Sequence, residues 1–419
     1  MSDLKRELIE YMAGLETFDS HEHLVPEAER LAGRMDFTVF VAMYVKSDLI
    51  GAGMDPGDCR RMLDDPDLTE AERFALFEPW EPMISQSGYY RAARIAMEAF
   101  YGVDRITRAT YVGLGEAMRA ANRPGLYRRV LKERCHLGHI VNQKVFCNDE
   151  GGLFHFNCHV GFYHGPTWED MRDRFAEQEV TVDIVDLESY EAALESLFAI
   201  WRGKGMLALK MGVWEMSVPD RAEADTIVRS IRRDGSVSGA DGMRLRTYVM
   251  DWFLKKAREH GYVMAVHTGA MASGGDFRKI SPCLLMDWAA RYPDVKFDMY
   301  HMGITEARRA GFVAKYFPNV AANLCWGHVV APQLLVNVLD EWLDYVPLNK
   351  IIAFGGDYSG CVEKVYGALV MTREHLAEVM VRRVGRGVMD VEEAKWALER
   401  MLVRNGESWY GLEGKGSKQ

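Results

Sequence analysis

An α/β fold, a distorted (β/α)8 TIM barrel with a long helical insertion after its first strand, is what the sequence predicts. Three observations carry that prediction. From residue 180 onward, short β-rich runs alternate with longer helical stretches. Eight β-rich runs can be found along the chain, the number that closes a barrel. No glycine-rich phosphate loop follows the first run, as an open doubly wound sheet would require.

The runs are, in order, TFDSHEHL (17–24), HIVNQKVF (139–146), TVDIVDL (181–187), MLALKMGV (206–213), YVMAVHTG (262–269), VKFDMYHMG (295–303), VAANLCW (320–326) and IIAFGGDYS (351–359). Each is rich in β-branched or aromatic residues and bounded by polar or glycine-containing segments. Between the first two lies the stretch 25–137, too long for a βα loop and carrying helical periods such as GYYRAARIAMEAFYG and YRRVLKER. It reads as a helical cap over the reactive end of the barrel. The segment 148–168, NDEGGLFHFNCHVGFYHGPTW, mixes glycine, histidine and aromatics without a regular period and reads as a second lid. With 419 residues the chain could hold two or three domains, but a barrel of about 250 residues accepts insertions and stays one. The expectation is therefore a single domain over 1–419.

A net charge of -10 gives no basic face for phosphates, so nucleic acid is excluded as a partner and a small-molecule substrate is favoured. The opening MSDLKRELIEYMAGL interrupts its apolar positions with charges, and FTVFVAMYV is too short to span a bilayer; neither a signal peptide nor a membrane anchor is read. Seven scattered cysteines without CxxC spacing read as reduced thiols. A cytoplasmic protein, expected as a homo-oligomer, is the reading.

The chemistry gathers at strand ends. His21 and His23 stand two apart at the end of the first strand, so the alternation of a strand points both imidazoles to one face and Glu22 to the other. His267 ends the fifth strand, His301 the sixth and Asp357 the eighth, all at the C-terminal rim where barrels place reactive groups. Imidazoles and a carboxylate suit zinc, with manganese or iron as alternatives, and leave a position open for water or substrate.

FDSHEHL, VHTG, YHMG and FGGDYS resemble, in order, the four metal-site motifs of the amidohydrolase superfamily. The resemblance covers strands one and four through eight and continues to NGESWYGL (405–412). The downstream half is similar to nodulin-related members of the second amidohydrolase group, and the long insertion resembles that of uronate isomerases. The resemblance implies that His21, His23, His267 and Asp357 hold the metal. It further implies that Asp357 takes a proton from the attacking water and that His301 polarises the scissile group or serves a second ion.

Lys210 is costly among apolar strand residues unless it has a task. Either it is carboxylated and bridges two metals, or its free ammonium meets an acidic substrate; a single metal with a free lysine is the reading taken. Trp214, Tyr300, Trp326, His328 and Tyr358 border strand ends and are expected as pocket walls beside Lys210. His155, His159 and His164, with Cys158, offer substrate contacts or a separate zinc site of no standard spacing. The expected activity is hydrolysis, by a metal-activated water, of an amide, lactone or related bond in a small acidic substrate. The alternatives are aldose–ketose isomerisation of a uronate, non-oxidative decarboxylation, and a non-catalytic metal-barrel binding protein.

Overall fold

A computed structural model describes residues 2–143, 152–162, 167–272 and 274–414. The described strands are β1 (Thr17–Glu22), β2 (Leu137–Asn142), β3 (Phe154–His159), β4 (Met206–Gly212), β5 (Val263–His267), β6 (Phe297–Tyr300), β7 (Val320–Asn323) and β8 (Ile351–Ile352). They form one eight-stranded sheet in sequence order, with parallel pairing recorded for β1–β2 and from β3 through β7. With helices between the strands of every successive pair except β2 and β3 among the described residues, this is the (β/α)8 TIM-barrel fold.

The chain packs as two compact units. The first comprises Met1–Phe154, Ala270–Gly275 and Asn323–Gln419. Here β8 is short, yet the chain from Ile352 to Phe354 stays hydrogen-bonded on both sides. Ser20 N–H donates to the Phe354 carbonyl at 3.0 Å, and Leu324 N–H to the Ile352 carbonyl at 2.9 Å. The stretch after β1 is helical as expected, from Glu27–Ala32 through Gly88–Tyr101 to Tyr111–Ala121. Thr69 and Glu72 form a capping box at the start of Glu70–Phe77, and Ser87 caps Gly88–Tyr101, whose end is fixed by Gly102 at φ 69°. The alanine-rich face of that helix, Ala92, Ala93 and Ala96, is buried, and the helix packs on Glu363–Gly385.

The second unit comprises His155–Gly269 and Asp276–Ala322. It corrects the expected third strand. TVDIVDL forms none; its Asp186 instead caps the helix Leu187–Gly203 by accepting from Ser189 N–H at 2.9 Å, with Ser189 answering in a capping box. Asp183 and Asp186 face Arg232 and Arg229, an arrangement open to solvent and unsuited to a barrel wall. The third strand is Phe154–His159, inside the segment read as a lid, paired with β4 through Asn157↔Ala208, Cys158↔Leu209 and His159↔Lys210. His155, Cys158 and His159 therefore lie on a strand rather than in a loop. His164, the last part of the run 139–146 and the tail beyond 414 lie outside the described residues. Among the described residues, no helix is long and apolar enough to cross a membrane.

Candidate metal centre

In the first unit, β1 delivers His21 as its penultimate residue, and His23 follows one residue past its end. The chain after β8 is stitched to it: Asp357 N–H donates to the His21 carbonyl at 2.9 Å, and His23 N–H to the Tyr358 carbonyl at 2.9 Å. This register sets both imidazoles against one carboxylate. His21 Nε2 and His23 Nε2 each lie 3.2 Å from Asp357 Oδ1, and the two rings are 4.7 Å apart. Donor atoms of all three residues fall within 4.8 Å of one another. Two imidazoles and a carboxylate so gathered fit a divalent cation, which would take the place of the ring protons now directed at Oδ1.

Asp357 has φ 63°, a left-handed conformation that costs a non-glycine residue roughly 1–3 kcal/mol. Its backbone is held on both sides to offset that cost, since Tyr44 Oη donates to its carbonyl while its N–H donates to His21. Burial pushes the Asp357 carboxyl up, but the charges and hydrogen bonds of His21 and His23 outweigh it and hold the group well below the usual carboxylate range.

Glu22 does turn away from the metal face, as strand alternation requires, but not into solvent. It is fully buried, and its Oε2 accepts the Tyr358 N–H at 2.7 Å. Asp19, equally buried, accepts the His21 N–H at 3.1 Å and shares a hydrogen bond with Glu22. Burial raises Asp19 to about 7 and Glu22 well above its ordinary value; Asp19 raises Glu22 further, whereas the hydrogen bond with Glu22 pulls Asp19 back down. The hydrogen bond favours ionised Asp19 and protonated Glu22, so the shared proton sits on Glu22. This carboxyl pair braces both metal-bearing segments. No sequence signal singled it out beyond the E of HEH and the D two residues before it.

Three expected pocket walls belong to the same unit. Trp326, at φ 61°, stacks on Tyr89 at 6.1 Å and lies beside Tyr44 at 5.5 Å. The buried Tyr358 ring packs on Tyr44 at 5.6 Å. His328 has both ring nitrogens engaged: Nε2 donates to the Ala353 carbonyl at 2.9 Å, and Nδ1 faces His375 Nδ1 at 3.2 Å. Since Nε2 must carry a proton to donate to a carbonyl, Nδ1 of neutral His328 accepts from His375. A cavity of about 880 Å³ also opens in this unit, bordered by Val25, Arg30, Lys46, Ser359 and Lys364. None of the three metal candidates lines it.

The second unit gathers the other expected site residues. His267 ends β5 opposite Tyr300 of β6, and its ring lies 4.3 Å from that of His301. His301 is fully buried with φ 68°. Lys210, on β4 and 3% exposed, places its Nζ 4.3 Å from the centre of the Tyr300 ring, a contact that suits an ammonium. Tyr300 Oη in turn accepts from Asn157 Nδ2 at 3.5 Å. Trp214, two residues beyond β4, is buried beneath the Arg246 guanidinium.

Comparison with known proteins bears on the family. The amidohydrolase family model of the second group matches residues 215–410, which include His267, His301 and Asp357. Protein fluG of Emericella nidulans is 25% identical over 222 residues, covering 50% of this chain and 25% of that protein. The chain thus spans about a quarter of the length of the curated relative it matches. Among solved structures, the uronate isomerase of Thermotoga maritima superimposes with a TM-score of 0.79 at 14% identity, covering 98% of each chain. The glucuronate isomerase of Caulobacter crescentus gives 0.80 at 15%, over 98% of this chain and 94% of its own. A uronate isomerase of Bacillus halodurans gives 0.68 at 15%, over 97% and 96%. At such identities these structures speak for the fold alone. Over residues 215–410, a little under half of the chain, the sequence is similar to the amidohydrolase family of the second group, and the chain shares the fold of these solved structures.

Proposed function

We propose that the chain is a metal-dependent hydrolase acting on an amide, lactone or related bond of a small acidic substrate. His21, His23 and Asp357 are its metal ligands, with His267 as the fourth and zinc as the ion, manganese or iron being the alternatives. The observation that carries this reading is the convergence of both His Nε2 atoms on Asp357 Oδ1 at 3.2 Å. When bound, the cation supplies Lewis-acid activation of water and of the scissile carbonyl. Asp357 accepts the proton of the attacking water and passes it to the leaving group. His301 stands by the strand-end histidine His267 and polarises the scissile oxygen. Lys210, whose Nζ lies over the Tyr300 ring, is read as an unmodified lysine whose ammonium meets the substrate's carboxylate beside a single metal.

A second reading, isomerisation of a uronate, is favoured by one observation: the fold shared with three uronate isomerases extends over nearly the whole chain. One experiment separates the two. Metal-reconstituted protein is offered lactones, N-acyl amino acids and uronates, and the products are identified by mass. Hydrolysis adds the mass of water, whereas isomerisation leaves mass unchanged. Turnover of uronates alone, without mass change, would replace the hydrolase reading, and no turnover in any metal form would favour a binding protein.

A further inference from the structure

We propose that Arg246 is an anion-binding residue that takes a carboxylate of a small-molecule ligand beside the C-terminal end of β4. Arg246 stands on the helix Gly239–His260, and its guanidinium carbon lies 3.9 Å from the centre of the Trp214 ring. The ring beneath it is fixed. Trp214 Nε1 donates to Thr247 Oγ1 at 3.2 Å, and Trp288 Nε1 donates to the Trp214 carbonyl at 3.2 Å. Gly212, the last residue of β4, lies against this stack: the position a Cβ would take there is 3.5 Å from the Trp214 ring and 3.7 Å from Arg246 Nη2. Gly161 flanks the same nitrogen, 3.8 Å from where its own Cβ would stand, and its N–H donates to His159 Nδ1 at 3.0 Å. Two glycine backbones and an indole face thus surround one end of the guanidinium.

What the guanidinium lacks is an anion. Its Nε is buried without a hydrogen-bond partner among the described residues. Burial alone acts on its pKa, lowering it to about 10, with no carboxylate to offset the loss of water. Two other arginines show the usual compensation by a carboxylate. Arg244, on the same helix, pairs with Glu223, and the buried Arg30 is met by both oxygens of Glu363 at 3.0 and 3.3 Å. Arg246 as a whole is half-buried, and a cation–π contact recovers only part of the hydration that its covered side gives up. The planar fork of an arginine matches a carboxylate through two parallel hydrogen bonds, more closely than an ammonium does. The position also borders the reactive strand ends, because Gly212 is paired with His267 across β4–β5, and His159 with Lys210 across β3–β4. Calling the ligand a substrate rests on the function proposed above; its binding does not.

The test is calorimetric titration of wild-type, Arg246→Lys and Arg246→Met protein, with metal content measured on each. The probes are succinate, N-acetylglutamate, D-glucuronate and inorganic phosphate, with succinamide and D-glucose as uncharged counterparts. At least one carboxylate should bind the wild type, about tenfold or more weakly in Arg246→Lys and not measurably in Arg246→Met, while the uncharged counterparts stay silent. Thermal denaturation identifies a variant that fails to fold, in which case Arg246→Lys alone carries the comparison. Absence of carboxylate binding, equal affinity in the variants, or tighter binding of phosphate than of any carboxylate would overturn the proposal. Wild-type protein that holds no metal yet binds a carboxylate through Arg246 would defeat the proposed function and leave this inference standing.

Discussion

A Cβ at Gly356 would lie 2.1 Å from Glu22 Oε1, so the second glycine of FGGDYS exists to let the carboxyl behind the metal ligands approach the chain that carries Asp357. Gly356→Ala therefore forces the buried Glu22 side chain or the Asp357 backbone to move. Overpacking of this kind costs about 1–3 kcal/mol, and the shift acts directly on a metal ligand. Chemical denaturation should show that loss, and metal affinity should fall by about tenfold or more. Unchanged stability together with unchanged metal affinity would show that the close approach has no consequence.

Asp357→Asn should keep the fold, since the backbone hydrogen bonds to His21 and Tyr44 do not involve the side chain. It should lower kcat by about 100-fold to 10,000-fold, because the amide cannot accept the proton that the carboxylate takes. Metal content must be measured beside the rate. A variant with wild-type metal content and near wild-type kcat would remove Asp357 from proton transfer.

The His328–His375 pair gives the protein an acid limit. Burial lowers His375 to about 4, helped by the charges of Arg91 and Lys5, and burial with the charge of His375 depresses His328 further. Both histidines are thus neutral when folded and take up protons on unfolding below about pH 6.5, so stability falls as the pH drops. For His375 the window runs from about 6.5 down to about 4, and the loss is on the order of 3 kcal/mol. Urea denaturation between pH 7 and pH 4 should show the slope, and His375→Phe should flatten it. An identical slope in that variant would assign the acid sensitivity elsewhere.

Arg30 and Glu363 form a buried ion pair at 3.0 Å, to which Tyr101 Oη donates a further hydrogen bond at 2.6 Å. Removing one partner leaves an uncompensated charge, so Arg30→Met should cost about 3–5 kcal/mol. The double variant Arg30→Met with Glu363→Gln should recover part of that loss in thermal denaturation. Equal loss in the single and double variants would mean that packing, rather than the stranded charge, sets the cost.

Legibility in the sequence followed the chemistry. His21, His23 and Asp357 could be named because strand alternation and the strand-end rule fix which side chains share a rim. The structure brings those three together, and separately places His267, His301, Lys210 and Tyr300 in one neighbourhood. The third strand was not legible, since FHFNCH carries histidines and asparagine where a buried strand usually shows β-branched residues. TVDIVDL has the right alternation but spends its last aspartate on a helix cap. Arg246 was illegible for another reason. An arginine on a helix ordinarily reads as a solvated surface residue, and only the indole of Trp214 and the missing counter-charge mark it out.

The central claim is a metal centre built on His21, His23 and Asp357, and stoichiometric metal titration tests it most directly. Metal-free protein titrated with zinc, and separately with manganese, should bind one equivalent per chain, and a variant carrying both His21→Ala and His23→Ala should bind none at that site while remaining folded. Wild-type protein that binds no metal stoichiometrically, or a double variant that binds as the wild type does, would contradict the account.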